Sequence, residues 1–222
     1  MLMRAELVHW ILFAAKVLHR NSHWMAWNLF LAFVPLALSV WLFRRNRPAS
    51  LLWWVGLVVF IAFLPNAPYV LTDIIHLIYD IREGFSEWVV TLVLVPQYIL
   101  FILAGFGAYV LSLINLGYYL NQRRRHRYVL GAELALHALS AIGIYLGRFL
   151  RFNSWDLVTR LDSVAGTVID DLAAKRPALV MFATFVIITG LYWLMKEVTL
   201  GLILRWRSAR VRSVSEADQG FN

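Results

Sequence analysis

The sequence contains no cysteine. This absence excludes structural disulfides, thiolate metal sites and cysteine nucleophiles. A glycine-rich phosphate loop, a His-Glu-x-x-His metal motif and a Gly-x-Ser-x-Gly nucleophile elbow are absent as well. We therefore expect no metal and no cofactor, and no familiar catalytic motif indicates a reaction.

Charged residues are scarce, at 15% of the chain, whereas apolar residues make up 61%. Several apolar runs approach the roughly 20 residues that a helix needs to cross a bilayer. The composition therefore predicts an integral membrane protein whose main partner is the lipid bilayer. The net charge of +8 does not require nucleic acid as a partner, because arginine-rich cytoplasmic loops explain it. Those loops carry no interleaved aromatic residues, so we expect no nucleic-acid binding.

Five apolar segments predict an all-α membrane bundle of about five transmembrane helices. The predicted spans are Trp24 to Phe43, Leu51 to about Pro65, Trp88 to Tyr119, Val129 to about Phe149, and Ala178 to Leu204. They form one transmembrane domain, residues 24–204. The amino-terminal residues 1–23 are predicted to contain an amphipathic interfacial helix, Ala5 to Leu18, with a short sixth span as the alternative. Residues 205–222 are predicted to form a basic and then disordered cytoplasmic tail.

The basic residues predict the orientation. Three arginine-rich segments lie between spans one and two, between spans three and four, and after the last span. Five spans place all three on one side of the membrane, which must be the cytoplasmic side. We therefore expect the amino terminus outside the cell and the carboxyl terminus in the cytoplasm.

The second predicted span ends at the polar segment Pro65 to His76 (Pro-Asn-Ala-Pro-Tyr-Val-Leu-Thr-Asp-Ile-Ile-His). Pro65 and Pro68 each lack a backbone donor and disfavour helix at the preceding residue. We therefore expect a broken second helix at Pro65–Pro68, at the outer interface. Asn66 and Tyr69 lie inside the break and are candidate binding residues.

Asp73, His76 and Asp80 follow at spacings that place them on one helical face. A histidine beside a carboxylate suits acid/base catalysis, so Asp73 and His76 are the candidate catalytic pair. The structural alternative is that Thr72 or Asp73 caps a short helix and that His76 lies among lipid headgroups.

A second polar segment ends the fourth span. Its candidate binding residues are Arg148, Arg151, Asn153 and Asp156. An arginine fork suits phosphate or carboxylate, whereas a snorkelling side chain or an internal salt bridge is the structural alternative. Because both segments lie on the outer side, we expect Arg148 to face Asp73 or His76.

Two further ionisable residues, Glu133 and His137, lie on one face of the fourth span. We expect Glu133 to pair with the neighbouring arginine loop, and His137 to form one interhelical hydrogen bond with Gln97, Asn115 or Ser140. A polar path through Gln97, Asn115 and His137 would instead favour a transporter.

Three strings, Trp27 to Phe33, Phe63 to Tyr69 and Gly147 to Asp156, resemble an uncharacterised family of bacterial multi-span proteins, domain of unknown function 1361. The resemblance covers about Trp24 to Leu204. It supports the boundaries of the membrane domain and implies no activity.

Three functions remain open from the sequence. The first is an outward-facing site for an anionic lipid headgroup or lipid-linked substrate, with catalysis undecided. The second is a small-solute carrier or channel built on the broken helix. The third is a non-catalytic subunit of a membrane complex.

Overall fold

The computed structural model describes residues 2–45, 49–150, 166, 171 and 175–219, and these residues contain no β-strand. The long helices are α1 (Leu2–Ser39), α2 (Leu51–Phe63), α4 (Ile74–Arg82), α6 (Val95–Gln122), α7 (Val129–Phe149) and α8 (Lys175–Gln219). The short helices are α3 (Asn66–Tyr69) and α5 (Glu87–Val89). Two π turns, Val40–Arg44 and Val90–Leu94, extend α1 and precede α6, and two 3₁₀ turns cover Val70–Asp73 and His126–Tyr128.

Five helical segments are long and apolar enough to cross a membrane, as predicted. They are Trp10–Arg44, Leu51–Arg82, Glu87–Gln122, His126–Phe149 and Lys175–Arg210. Each exceeds the roughly 20 residues of a minimal span. The protein is therefore a helical, multi-pass membrane protein.

The first helix is longer than its predicted span. Helix α1 runs without interruption from Leu2 to Ser39, so Ala5 to Leu18 does not form a separate helix. Whether this amino-terminal half lies at the interface stays a prediction. Its continuity matters because residues 20 to 28 pack against the segment that follows the broken helix.

The predicted break in the second helix is confirmed in the hydrogen-bond pattern. The expectation that the prolines move the preceding residues out of helix is wrong, because Leu64 keeps helical angles (φ −54°, ψ −39°) and Ala67 lies within α3. Helix α2 ends at Phe63, and α3, a 3₁₀ turn and α4 continue the same segment to Arg82. At the break, the Ala67 N–H donates to the Leu64 carbonyl oxygen at 3.2 Å, one residue short of the α-helical pattern. Since this shift leaves the Phe63 carbonyl without its α-helical donor, Asn66 Nδ2 donates to that oxygen at 2.9 Å. Asn66 thus closes the break from within.

Two glycines hold the broken segment between α6 and α7. A Cβ added at Gly105 would lie 2.7 Å from Val70 Cγ1, and one added at Gly143 would lie 2.7 Å from the Pro65 ring. Both positions need glycine because the neighbouring backbone segment approaches so closely. Small residues at helix interfaces permit such approach within a bilayer, where lipid provides little hydrophobic drive between helices.

The prolines and glycines together place one end of the second segment beside α1 and α7. Helices α1 and α6 run in the same direction, because Gln97 Nε2 donates to the Leu18 carbonyl oxygen at one end and Arg44 contacts Asn115 at the other. Arg44 and Arg123 therefore lie at one end of the bundle, and Asp73 and Arg148 lie towards the opposite end.

Candidate functional site

Helix α1 and the segment Val70–Arg82 meet through three matched pairs of side chains, which we call the ladder. Asn21 Nδ2 donates to Asp80 Oδ2 at 2.7 Å, and Asn28 Nδ2 donates to Asp73 Oδ2 at 2.9 Å. Between them, the Trp24 and His76 rings pack with centroids 4.9 Å apart. The two helical segments are antiparallel, so residues 21, 24 and 28 of α1 lie opposite residues 80, 76 and 73. Both sets are spaced three and four residues apart, and such residues share one face of a helix.

Asp73 forms the end of the ladder that reaches α7. Its side chain is buried, with 2% of the residue exposed. A buried carboxylate needs both hydrogen bonds and a counter-charge to offset its lost hydration. Asn28 supplies the hydrogen bond to Oδ2, and Arg148 supplies the charge at Oδ1.

The predicted contact between Arg148 and Asp73 is confirmed, and its geometry is loose. Arg148 Nη1 lies 3.5 Å from Asp73 Oδ1, and Nη2 donates to the Thr72 carbonyl oxygen at 3.3 Å. Strong guanidinium–carboxylate bonds are shorter, at about 2.7–2.9 Å. The arginine side chain keeps 25% of its surface exposed. Within the described part of the chain, Arg148 therefore has a fixed position, and its contacts leave some of its N–H donors unused.

His76 lies beside Asp73 and opens to the surface. Its Nε2 is 3.9 Å from Asp73 Oδ1, beyond hydrogen-bond distance, and 45% of the side chain is exposed. Trp24 holds the ring from one side. The two candidate catalytic residues are thus neighbours, and a shift of about 1 Å would bring them within the reach needed for proton transfer.

The remaining predicted site residues fall into two groups. Tyr69 lies near the site, since its ring centroid is 5.9 Å from the Arg148 guanidinium carbon, whereas Asn66 bonds the Phe63 carbonyl oxygen at the helix break. Arg151, Asn153 and Asp156 lie outside the described residues.

The structural alternative, in which Thr72 or Asp73 caps a short helix, is wrong. The Thr72 hydroxyl donates to the Tyr69 carbonyl oxygen at 2.8 Å, and Asp73 makes no capping bond to α4. The preceding 3₁₀ turn continues directly into α4, so that helix has no free amino-terminal end for either side chain to cap.

The other end of the ladder is much more tightly bonded. Arg20 contacts Asp80 at 2.5 Å and Glu83 at 2.6 Å. Asp80 Oδ2 also accepts a bond from the Tyr98 hydroxyl at 3.1 Å. Asp80 is therefore a structural carboxylate whose hydrogen bonds join α1, α4 and α6.

A second buried polar cluster lies between α6, α7 and α8. Glu133 Oε1 accepts hydrogen bonds from the Tyr192 hydroxyl and from Lys196 Nζ, each at 2.6 Å. The prediction that Glu133 pairs with the arginine loop is therefore wrong, because Lys196, one turn of α8 beyond Tyr192, is nearer. His137 forms the expected interhelical hydrogen bond, but its partner is the Tyr109 hydroxyl at 2.7 Å.

Sequence reasoning missed the residues of α1 that complete the site. Asn21, Trp24 and Asn28 are neutral residues that are ordinary for a helix near an interface, so neither their charge nor their type singles them out. The available signal was the matching 3-and-4 spacing in Asn21, Trp24, Asn28 and in Asp73, His76, Asp80. Among the described residues, no group of three His, Asp or Glu side chains is arranged to hold a metal ion.

The fold and the site define a multi-pass helical membrane protein with a paired, partly exposed arginine at one end of its bundle. The chain belongs to the family described as "Protein of unknown function (DUF1361)", whose model matches residues 27–189. The matched region includes Asn28, Asp73, His76 and Arg148, which we call the Asp73 site. No curated protein and no solved structure matches the chain.

Proposed function

We propose that this protein binds the anionic headgroup of a lipid or lipid-linked substrate at the Asp73 site, with Arg148 as the anion contact. The contrast between Arg20 and Arg148, which contact the carboxylates at the two ends of the ladder, carries the proposal. Among the described residues, Arg20 is held by two carboxylates at 2.5 and 2.6 Å, whereas Arg148 has one carboxylate partner, at 3.5 Å. A guanidinium with incomplete partners and partial exposure can take up a phosphate through two parallel N–H bonds.

The surroundings of Arg148 suit a headgroup rather than a soluble anion. The arginine lies in the last turn of α7 and beside Tyr69, close to the end of a membrane span. The nearby surface carries large exposed apolar side chains, including Phe149 and Ile74. Such a surface lets acyl chains contact the protein while the headgroup reaches the guanidinium.

The site faces outwards in the orientation we propose. The arginine-rich ends of α1 and α6 lie opposite Asp73 and Arg148. The positive-inside bias assigns that arginine-rich end to the cytoplasm of a bacterial cell. The amino terminus is then outside, the carboxyl terminus is cytoplasmic, and the Asp73 site opens towards the outer leaflet of the inner membrane.

Catalysis is a separate step of the proposal. His76 would act as the acid or base and Asp73 would orient it, once a ligand brings the two within about 3.2 Å. Removal of His76 should then abolish turnover and leave headgroup retention largely intact, whereas removal of Arg148 should weaken both.

The carrier alternative has less support. The proposed path through the bundle would connect Gln97, Asn115 and His137. Each bonds a different partner: Gln97 the Leu18 carbonyl oxygen, Asn115 the Arg44 and Ser39 side chains, and His137 the Tyr109 hydroxyl. No hydrogen bond among the described residues joins one of the three to another. The non-catalytic subunit is the alternative that remains if no lipid binds.

Native mass spectrometry of the delipidated protein, titrated with phosphatidylglycerol or phosphatidylcholine, tests the proposal. Arg148→Gln should weaken phosphatidylglycerol retention about tenfold or more, as expected for the loss of charge-assisted bonds. Arg82→Gln is the matched control, since Arg82 is an exposed arginine of α4 at the same end of the bundle. Equal retention by the wild type and by folded Arg148→Gln protein would overturn the proposal.

A further inference from the structure

At the opposite end of the bundle, the backbone conformation of a π turn determines which face of the helix carries Arg44. Helix α1 ends in the π turn Val40–Arg44. In an α-helix, residues five apart point about 140° away from each other. In a π turn, whose hydrogen bonds join residues five apart, they lie nearly above one another. The π turn therefore brings Arg44 onto the same face as Ser39.

Asn115 of α6 uses this alignment. Its side chain bridges the two residues, because Nδ2 donates to Ser39 Oγ at 2.9 Å while Oδ1 accepts a bond from Arg44 Nε at 2.7 Å. Asn115 and Ser39 are both buried. The bridge fixes the guanidinium through its inner nitrogen and leaves the Nη1 and Nη2 edge pointing away from Asn115.

An aromatic ring fixes the plane of the same guanidinium. The Arg44 Cζ lies 4.1 Å from the centroid of the Tyr118 ring, within the range of a favourable cation–π contact. Among the described residues, Arg44 makes no further hydrogen bond and has no carboxylate within 4.0 Å. The side chain is thus held at two points, and the residue as a whole is exposed.

The neighbourhood is basic and aromatic. Arg45 is exposed next to Arg44, and Arg123 lies 5.4 Å from the centroid of the Tyr119 ring. Trp53 packs against Tyr119, with ring centroids 5.9 Å apart. Tryptophan and tyrosine favour the level of the lipid headgroups, so the Arg44 edge lies where phosphate groups are found.

We propose that Arg44 forms a second lipid site, which binds the phosphate of an anionic phospholipid through its Nη1 and Nη2 edge. This site is independent of the Asp73 site and lies at the other end of the bundle. Its specificity comes from the oriented fork and not from positive charge alone. A lysine at position 44 would keep the charge but could neither bond Asn115 through an Nε nor present two parallel donors.

The matched pair Arg44→Lys and Arg45→Lys tests the proposal, because neither variant changes the net charge. Delipidated protein is titrated with phosphatidylglycerol and followed by native mass spectrometry, with soluble glycerol 1-phosphate as a second ligand. Arg44→Lys should weaken phosphatidylglycerol binding about tenfold at one site, as expected for a lost charge-assisted bond. Arg45→Lys should leave that site unchanged.

Three results would overturn the proposal. Equal effects of the two lysine variants would show that only charge matters, and no effect of either would show that Arg44 binds no lipid. Equally tight binding of glycerol 1-phosphate would assign the site to a soluble phosphate. The Arg148→Gln variant separates this site from the proposed headgroup site. If the two sites are independent, the losses of phosphatidylglycerol binding free energy in Arg148→Gln and in Arg44→Lys should add in the double variant. Helical circular dichroism and gel filtration check that each variant is folded.

Discussion

A methyl group added at Gly105 should destabilise the protein, whereas the same change at Gly107 should not. Both glycines lie in the middle of α6, two residues apart. A Cβ at Gly105 would meet Val70 at 2.7 Å (Cγ1), 2.8 Å (Cγ2) and 3.2 Å (Cβ), whereas a Cβ at Gly107 would have no neighbour within 4 Å. Contacts below 3.0 Å force a shift, and the branched Val70 side chain has little freedom to give way.

The expected difference follows from this pair of positions. Overpacking of a dense interior costs about 1–3 kcal/mol. Replacing a helical glycine by alanine contributes about 0.5–1 kcal/mol of stabilisation at either site, so that contribution cancels between the two variants. Gly105→Ala should therefore be about 1–3 kcal/mol less stable than Gly107→Ala. Reversible unfolding in mixed micelles, followed by circular dichroism, measures this difference.

A compensating change makes the test specific. Val70→Ala removes both close methyl groups, so the double variant Val70→Ala with Gly105→Ala should be more stable than the sum of the single effects. Because Val70 begins the 3₁₀ turn that ends at Asp73, Gly105→Ala should also disturb the site. Equal stabilities of the Gly105→Ala and Gly107→Ala variants would refute the close packing of the broken segment on α6.

Three other predictions concern charges and orientation. A broken buried ion pair typically costs about 3–5 kcal/mol, and Arg148→Ala should destabilise the protein by less than this because Asn28 still bonds Asp73. Unfolding measurements on the double-mutant cycle with Asp73→Ala should show that the two residues are coupled. Glu133→Gln should destabilise the protein by an amount near the lower end of that same range, about 3–5 kcal/mol, since 23% of the Lys196 side chain is exposed. A stability equal to that of the wild type would contradict the role of this pair. A cytoplasm-specific reporter fused after the last residue should be active, and a silent fusion on well-expressed protein would reverse the proposed orientation.

Much of the fold could be predicted because the bilayer imposes simple rules. Long apolar runs must form helices, since lipid offers no partners for backbone polar groups. The prolines at 65 and 68 predicted the break correctly, because missing donors act locally. The continuation of the helix after the break could not be predicted from the prolines. The Asn66 amide and the 3₁₀ turn repair the backbone there, and such repair depends on three-dimensional geometry.

The sequence predicted the charged residues of the candidate site but not the neutral residues of α1 that contact them. Asp73, His76 and Arg148 were identified because charged residues near hydrocarbon require partners. Their neutral partners were missed, since Asn28 and Trp24 are ordinary residues for a helix near an interface. Glu133 shows the same limit: its nearest basic residues in sequence lie in the loop, but Lys196 on another helix is its partner in space. Pairing between distant helices depends on packing that a single sequence does not specify.

Asp73 and an incoming anion compete for Arg148. If the pair serves a ligand, loss of the Asp73 charge should raise the affinity for that anion, whereas a purely structural pair predicts no such gain. Nη1 now faces Asp73 Oδ1 at 3.5 Å, and Nη2 bonds the Thr72 carbonyl oxygen at 3.3 Å. A phosphate that binds the remaining N–H bonds of Nη1 and Nη2 is repelled by the Asp73 carboxylate, and one that binds the N–H bonds already in use displaces these contacts. Asp73→Asn removes the competing charge and keeps a side chain of the same shape beside Asn28.

If Arg148 serves a ligand, Asp73→Asn should therefore bind phosphatidylglycerol more tightly than the wild type, even though the protein itself is less stable. A gain of about tenfold corresponds to about 1.4 kcal/mol, within the range of one charge-assisted bond. Native mass spectrometry measures the affinity, and Asp80→Asn serves as the control because Arg20 remains bonded to Glu83. Weaker binding by folded Asp73→Asn protein would mean that the carboxylate positions Arg148 for the ligand, and the competition argument would then be wrong.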